Sequence, residues 1–320
     1  MKFSVIIPVY NRPDELSELL DSLTRQRFTD FEVVVIEDGS LIDSSDIIEK
    51  FKAKLNLQYL LQENTGQGFA RNNGMKIAQG DFFVILDSDV ILPINYLQVL
   101  SDAISKRELD AFGGPDAAGQ DFSALQKAMD FAMTSFWTTG GIRGKMRDPS
   151  KYQARGFNMG VSRKVFEHTG GFVDPNQGED IEWSIRIKKA GFKLELVSEA
   201  FVYHKRKNTF ASFAKQAFSF GRNRVHVSRF HPGAIKLVHL LPSTFLLFCL
   251  CIPLLYVLNK ALFQVSIGLL LAWSIGVFVS STLQNKSVKV GMLSWVTSVF
   301  QLWSYGLGLP WELIRKTVKH

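Results

Sequence analysis

The sequence predicts an α/β fold, a mostly parallel sheet with flanking helices, followed by C-terminal helices long enough to cross a membrane. Three observations predict it. Over the first 115 residues, short β-branched apolar runs alternate with amphipathic stretches, as parallel strands joined by crossover helices do. Polar residues collect just after those runs: Asn11, then Glu37 and Asp38, then Asp87 and Asp89. Open parallel sheets bind their ligands at those carboxyl ends. From Leu237 the composition changes, and Leu237–Leu258 and Ala261–Leu283 contain no Asp, Glu, Lys or Arg. A 22-residue helix spans about 33 Å, enough for a hydrocarbon core of about 30 Å.

Taken in order, Val5–Val9 and Glu32–Glu37 read as strands buried on both faces, with two more strands over Asn56–Leu61 and Asp81–Leu86. The apolar run at the N-terminus is short and broken by Pro8, so it reads as a strand rather than a signal peptide. Pro13-Asp14-Glu15 opens the first helix, with Pro in the first turn and acids at the positive end of the dipole. Leu16, Leu19, Leu20 and Leu23 then share one face. Ser44–Lys54 and Gly68–Gln79 are the next two helices. Residues 116–200 are less regular. They predict a helix over about 122–137, a Gly-rich stretch Arg155–Gly160, a helix from Gly178-Glu179-Asp180 to Ala190, and a strand near Lys193–Val197. After the two uncharged runs, Val290–Leu309 is a third apolar run, richer in Ser, Thr and Gln. Trp295, Trp303, Tyr305 and Trp311 suit a membrane interface.

Charge is distributed unevenly along the 320 residues. The total is +7, but residues 1–199 hold 23 basic and 29 acidic side chains, 200–236 hold 8 basic and no acidic, and 237–320 hold 6 basic and 1 acidic. The basic residues therefore do not form a patch on the front module, which argues against nucleic acid as a partner. A hydrophobic share of 46% excludes a disordered or fibrous chain. Cys249 and Cys251 lie two apart in an apolar run, too close for an ordinary bridge and without metal partners. The expected division is a catalytic domain over 1–205, a basic membrane-proximal segment over 206–236 and a membrane domain over 237–320. The basic segment before the first span predicts a cytoplasmic front domain. Three full crossings would place Arg315, Lys316 and Lys319 outside. Either the third run is re-entrant or interfacial, or the positive-inside tendency is broken here.

Asp87-Ser88-Asp89 places two carboxylates at i and i+2 on a strand end, where they can share a hard cation and the phosphates it neutralises. Gly66-Gln67-Gly68 lacks the third glycine of a dinucleotide fingerprint and sits in the third βα unit, so it reads as helix capping, with Arg71 free to point toward an anionic ligand. Glu179 and Asp180 at a helix start either stabilise the dipole or supply a general base for a sugar hydroxyl. His204 after an apolar stretch is structural or, beside a metal site, a ligand.

Together, Ile6-Ile-Pro-Val-Tyr-Asn11, Glu37-Asp-Gly-Ser40, Ala70-Arg-Asn-Asn-Gly74, Leu86-Asp-Ser-Asp89, Gly178-Glu-Asp180 and Tyr203-His204 resemble the family 2 glycosyltransferases, whose fold is the Rossmann-like GT-A fold. The resemblance covers roughly residues 3–205. The stretch Lys215–Arg224 with His231-Pro232 and the apolar runs resembles bacterial membrane-bound glucosyltransferases of the succinoglycan-synthesis type.

The resemblance implies roles for matched positions. Pro8, Tyr10 and Asn11 would border the nucleotide, Asp38 its base or ribose, and Glu37 stands where many members have a second Asp. Arg71 and Asn72 would approach the diphosphate, and Asp87 the ribose and phosphate. Asp89 would bind Mg²⁺ or Mn²⁺, with Asp87 and His204 as further contacts. Asp180 would be the base, with Glu179 beside it. Gly156–Gly160 would line the acceptor side. No Arg-Trp pair occurs over Ser212–Phe230, where processive synthases of the family carry one. The expectation is an inverting transferase moving one sugar from a nucleotide diphospho-sugar, a UDP-sugar, to a lipid-linked glycan acceptor. It would be a multi-pass protein of the bacterial inner membrane with a cytoplasmic catalytic domain, acting in surface or exopolysaccharide synthesis. The alternatives are a processive synthase and a non-catalytic membrane scaffold.

Overall fold

A computed structural model describes residues 1–117, 122–140, 148–204 and 209–318. In chain order the elements are β1 (Phe3–Val9), α1 (Pro13–Thr24), β2 (Phe31–Asp38), α2 (Ser45–Phe51), β3 (Leu57–Gln62), α3 (Gln67–Ile77), β4 (Phe82–Leu86), β5 (Val90–Ile91), α4 (Tyr96–Arg107), β6 (Ala111–Gly113) and β7 (Asp116–Ala117). There follow α5 (Ala124–Thr134), α6 (Phe136–Thr139), β8 (Asn158–Ser162), α7 (Arg163–Thr169), α8 (Glu179–Lys189), β9 (Leu194–Leu196), β10 (Val202–His204) and α9 (Phe210–Val227). The last helices are α10 (Leu241–Leu258), α11 (Lys260–Asn285) and α12 (Val288–Val318). They group into two compact units, residues 1–119 with 146–205, and residues 120–145 with 206–320.

The first unit is built on a seven-stranded sheet of order β3-β2-β1-β4-β8-β6-β9. β1 runs parallel to β2 and β4, and β2 to β3. Every residue of β1 and β4 is buried, because helices cover both faces, so these strands are apolar without alternation. One core, under α1 and α4, gathers Val5, Ile7, Leu16, Leu20 and Leu97; the other gathers Ile6, Ile36, Met75, Phe172 and Trp183. β8 pairs antiparallel to both β4 and β6. This strand takes up the end of the Gly-rich stretch Arg155–Gly160. Gly160 is needed there, since a Cβ would lie 2.3 Å from the Phe112 ring and 2.5 Å from the Phe83 carbonyl oxygen. The small sheet β5-β10-β7 lies at the end of β4.

In the second unit α12 is the helix against which α9, α5, α11 and α10 all pack. Among the described residues, α10 and α11 are the two helices long and apolar enough to cross a membrane, with mean hydropathy 2.2 and 2.1. α10 begins at Leu241, four residues later than the apolar composition, where Pro242 sits in the first turn. The third apolar run is part of a 31-residue helix whose Ser294, Thr297, Ser298, Gln301 and Glu312 are buried in helix contacts.

Candidate active site

The carboxyl ends of β1 and β2 interlock. After β1 the chain turns through Asn11 at φ +54, a left-handed conformation that Asn tolerates. Its Oδ1 accepts hydrogen bonds from the Leu41 and Ile42 N–H groups at 2.8 and 3.1 Å, and its own N–H donates to Ser40 Oγ at 2.7 Å. Glu37 is buried and accepts from the Ser40 hydroxyl, the Ser44 N–H at 2.9 Å and the Tyr59 hydroxyl at 3.0 Å. Asp38, also buried, accepts from the Gln62 amide and the Thr65 N–H at 2.8 Å and from the Gly66 N–H at 2.9 Å. The two acids thus shape, from within, the loops that follow β2 and β3. Pro8 is buried opposite Ile36, and Tyr10 is exposed.

α3, β4 and α8 meet at Arg71, which is only 1% exposed. Its Nη2 donates to Asp87 Oδ1 at 2.6 Å and its Nη1 to Glu179 Oε1 at 3.2 Å. Phe172 lies against the guanidinium, 5.3 Å from Cζ to ring centroid. Gly156 closes in as well, where a Cβ would stand 2.7 to 2.9 Å from the guanidinium. Burial alone would favour losing this charge, but Asp87 and Glu179 more than offset it and hold the pKa above its ordinary value. Asn72, on the next position of α3, clamps the Phe172 backbone from both sides, donating to its carbonyl at 2.7 Å and accepting from its N–H at 2.8 Å.

Glu179 opens α8 behind Gly178, and accepts from the Gln67 amide at 2.6 Å. Burial, and then the adjacent Asp180 charge, push its carboxyl up to about 7, against the pull of Arg71. Asp180 is half-buried; its Oδ1 accepts from the Ile181 N–H at 2.7 Å and its Oδ2 from the Gly156 N–H at 3.2 Å. One glycine therefore touches the buried cation through its Cα side and the second acid through its N–H.

Asp89 follows β4 and pairs with Arg12 at 2.5 Å. β10 runs antiparallel to β5 with His204 opposite Val90, which brings the His204 backbone beside the residue after Asp89. The His204 side chain lies outside the described residues. The structure therefore brings together Arg71, Asp87, Glu179 and Asp180 in one cluster, and sets Asp89 on Arg12. Sequence reasoning did not pick out Arg12, although its place just beyond a buried strand is the signal that would have found it. Asn158, within the stretch expected to line the acceptor side, is fully buried, accepts from the Tyr96 hydroxyl at 2.6 Å and donates to the Ala200 carbonyl at 2.8 Å.

Among the described residues, no three His, Cys, Asp or Glu side chains form a cluster that could hold a metal unaided. Asp87 and Asp89 instead offer two carboxylates at the mouth of the sheet, each balanced by an arginine. That donor set fits Mg²⁺ or Mn²⁺ held by one or two carboxylates and completed by phosphate oxygens and water.

A mostly parallel sheet with an acid-lined carboxyl edge is the architecture of the GT-A fold. Glycosyl transferase family 2 matches residues 4–170, and the chain belongs to that family. It is 47% identical over 93 residues to the poly(ribitol-phosphate) beta-N-acetylglucosaminyltransferase TarS of Staphylococcus aureus, a match covering 28% of this chain and 16% of that protein. It is 27% identical over 231 residues to glycosyltransferase AglE of Haloferax volcanii, covering 70% and 73%. The mannosyltransferase PcManGT from Pyrobaculum calidifontis, in complex with GDP-Man and Mn²⁺, has a similar fold over 97% of this chain and 87% of its own, with a TM-score of 0.62 at 16% identity. The match with TarS thus spans about a sixth of that protein's length.

Proposed function

We propose that the chain is an inverting transferase that moves one sugar from a nucleotide diphospho-sugar, a UDP-sugar, to a lipid-linked glycan acceptor. It works at the cytoplasmic face of a bacterial inner membrane, in surface or exopolysaccharide synthesis. The observation that carries the reading is the buried Arg71, which ties Asp87 of the Asp-x-Asp motif to Glu179 of the acid pair on α8. The donor side and the base side are thereby held in fixed register.

Asp180 stands next to that tie. Each of its oxygens accepts one backbone hydrogen bond and keeps lone-pair capacity for another. It takes the proton of the acceptor hydroxyl as that oxygen bonds to the anomeric carbon. The bond from that carbon to the diphosphate oxygen breaks on the opposite face, and the nucleoside diphosphate departs. Mg²⁺ or Mn²⁺, when bound by Asp87 and Asp89, supplies Lewis-acid stabilisation of the departing charge. The fold shared with PcManGT, bound to GDP-Man and Mn²⁺, supports a nucleotide-sugar donor and a divalent cation. The exposed apolar surfaces of α10 and α11 support the membrane, and the net positive charge over 200–236 supports the cytoplasmic side.

Replacing Asp180 by Asn keeps the size and one of the two backbone hydrogen bonds but removes the base. Turnover is expected to fall by about 10²–10⁴, with donor binding by calorimetry nearly unchanged. A variant with near-normal turnover sinks the assignment.

A further inference from the structure

Residues 122–140 lie in sequence between β7 and β8 of the catalytic unit, yet they fold with the C-terminal helices. α5 buries Met129, Ala132 and Met133 in a cluster with Phe213 of α9, and the Thr297 hydroxyl of α12 donates to the Ala128 carbonyl at 3.0 Å. At the far end of α5, the α6 turn lies against α11. The Trp137 indole N–H donates to Ser280 Oγ at 3.0 Å, and the Trp273 indole N–H donates to the Trp137 carbonyl at 3.1 Å. The Trp137 ring covers Gly276, where a Cβ would come within 2.5 Å of it.

These contacts set a depth. Ser280 lies five residues and Trp273 twelve residues inside the Asn285 end of α11. At 1.5 Å per residue those distances are about 8 and 18 Å along the helix, within a hydrocarbon core of about 30 Å. The polar groups of the turn match that environment. Thr138 and Thr139 donate their hydroxyls to the Ala132 and Ser135 carbonyls, Ser135 Oγ accepts from the Trp137 N–H, and both indole N–H groups have partners. In hydrocarbon such groups must be satisfied internally. The side chain turned outward is Phe136, 75% exposed beside the exposed apolar surface of α11.

We propose that α6 is a re-entrant element that enters the bilayer beside α11 and packs Phe136 against phospholipid acyl chains. The inference rests on reading α10 and α11 as membrane-spanning. It adds a third lipid contact, contributed by the half of the sequence that carries the catalytic motifs.

The test uses the full chain with Cys249→Ser and Cys251→Ser, reconstituted in vesicles of phosphatidylethanolamine and phosphatidylglycerol. A nitroxide is placed in turn on Phe136→Cys, on Leu269→Cys at an outward position of α11, and on Glu49→Cys, exposed on α2. Relaxation by oxygen, which partitions into lipid, is compared with relaxation by a water-soluble nickel chelate. The expected ratio of oxygen to nickel accessibility at position 136 matches that at 269 and is several-fold above that at 49. A ratio at 136 equal to that at 49, with 269 in lipid, overturns the re-entrant turn and leaves the membrane reading standing. A water-like ratio at 269 as well overturns both. Phe136 is mostly exposed, so its replacement removes little packing.

Discussion

Arg71 and Asp87 meet at 2.6 Å across the carboxyl edge of the sheet, and the same guanidinium reaches Glu179 on its other side. Sixteen residues separate the first pair and 108 the second. A single buried cation therefore fixes three elements, α3, β4 and α8. Removing one partner of a buried ionic group leaves the others without compensation, and that loss outweighs the net worth of the pairing itself.

Arg71→Met is accordingly expected to destabilise the catalytic unit by about 3–5 kcal/mol. Arg71→Lys should recover only part of this, because an ammonium is a point charge and cannot span two carboxylates as the planar fork does. Denaturant unfolding, followed by the fluorescence of buried Trp183, measures both. A lysine variant as stable as wild type would show that charge, not the fork, holds the cluster.

β1, β2 and β4 were legible because strands buried on both faces are apolar with little interruption, and the alternation with helices implied that they run parallel. The acids at the strand ends were legible for the same reason, since a buried strand announces where its polar edge begins. Other features left no local mark. Gly160 reads as one glycine of a Gly-rich stretch, although it is needed where the Phe112 ring passes over β8. The amphipathic pattern of α5 says that one face is buried, but not that its partner is α12 rather than the sheet. The pairing of Arg71 with Glu179 is a product of topology, and composition carries no trace of it. In the third apolar run, Ser294, Thr297, Ser298 and Gln301 lower the hydropathy while lying buried in helix contacts, so hydropathy understates the packing of α12.

Gly156→Ala should damage catalysis more than its size suggests. The added methyl would stand 2.7 to 2.9 Å from the Arg71 guanidinium, so either the arginine or the 155–158 turn must move. Overpacking of this kind costs about 1–3 kcal/mol. The same shift carries the Gly156 N–H away from Asp180, and a misplacement of about 1 Å can lower turnover by about 10². The signature is a fall in kcat with little change in donor KM. A fall in donor affinity alone would contradict it.

Glu179 gives the fold a pH dependence of known sign. Burial, then Asp180, raise its carboxyl from 4.5 to about 7, so the folded chain holds this proton more tightly than the unfolded chain does. The resulting stabilisation is complete below 4.5 and is lost as pH rises through about 7. Glu179→Gln imitates the protonated acid and does not titrate. Wild type should therefore lose stability relative to this variant as pH increases across that window. Unfolding midpoints of the two proteins against pH decide the matter, and parallel curves would refute the assignment.

In the proposed function Arg12 and the divalent cation would share one partner, Asp89. The pair of Arg12 and Asp89 is partly open, with side chains 38% and 14% exposed, so Arg12→Gln should change stability by no more than about 1 kcal/mol. Its effect should fall on the metal instead. With the guanidinium gone, Asp89 loses its ion pair with Arg12, and Mn²⁺ should bind more tightly in the absence of nucleotide. Calorimetric titration with Mn²⁺ alone reads this directly. Equal or weaker binding in the variant would remove Asp89 from the proposed metal site.

Gly308 decides how closely α9 and α12 approach. A Cβ there would lie 2.1 Å from the Phe218 carbonyl oxygen, and one on Gly221 would lie 2.3 Å from the Tyr305 carbonyl oxygen. Both obstacles are backbone atoms, which cannot turn aside as a side chain can. Replacing a helical glycine by alanine gains about 1 kcal/mol of helix propensity, whereas forcing a packed contact apart costs about 1–3 kcal/mol or more. The clash should win, and Gly308→Ala should lower the melting temperature of the full chain in detergent. Glycine at small-residue contacts lets helix backbones come close, and α12 is the helix on which the rest of its unit packs. A Gly308→Ala protein that melts at or above the wild-type temperature would mean that α9 and α12 can separate freely, and that Gly221 and Gly308 do not set their spacing.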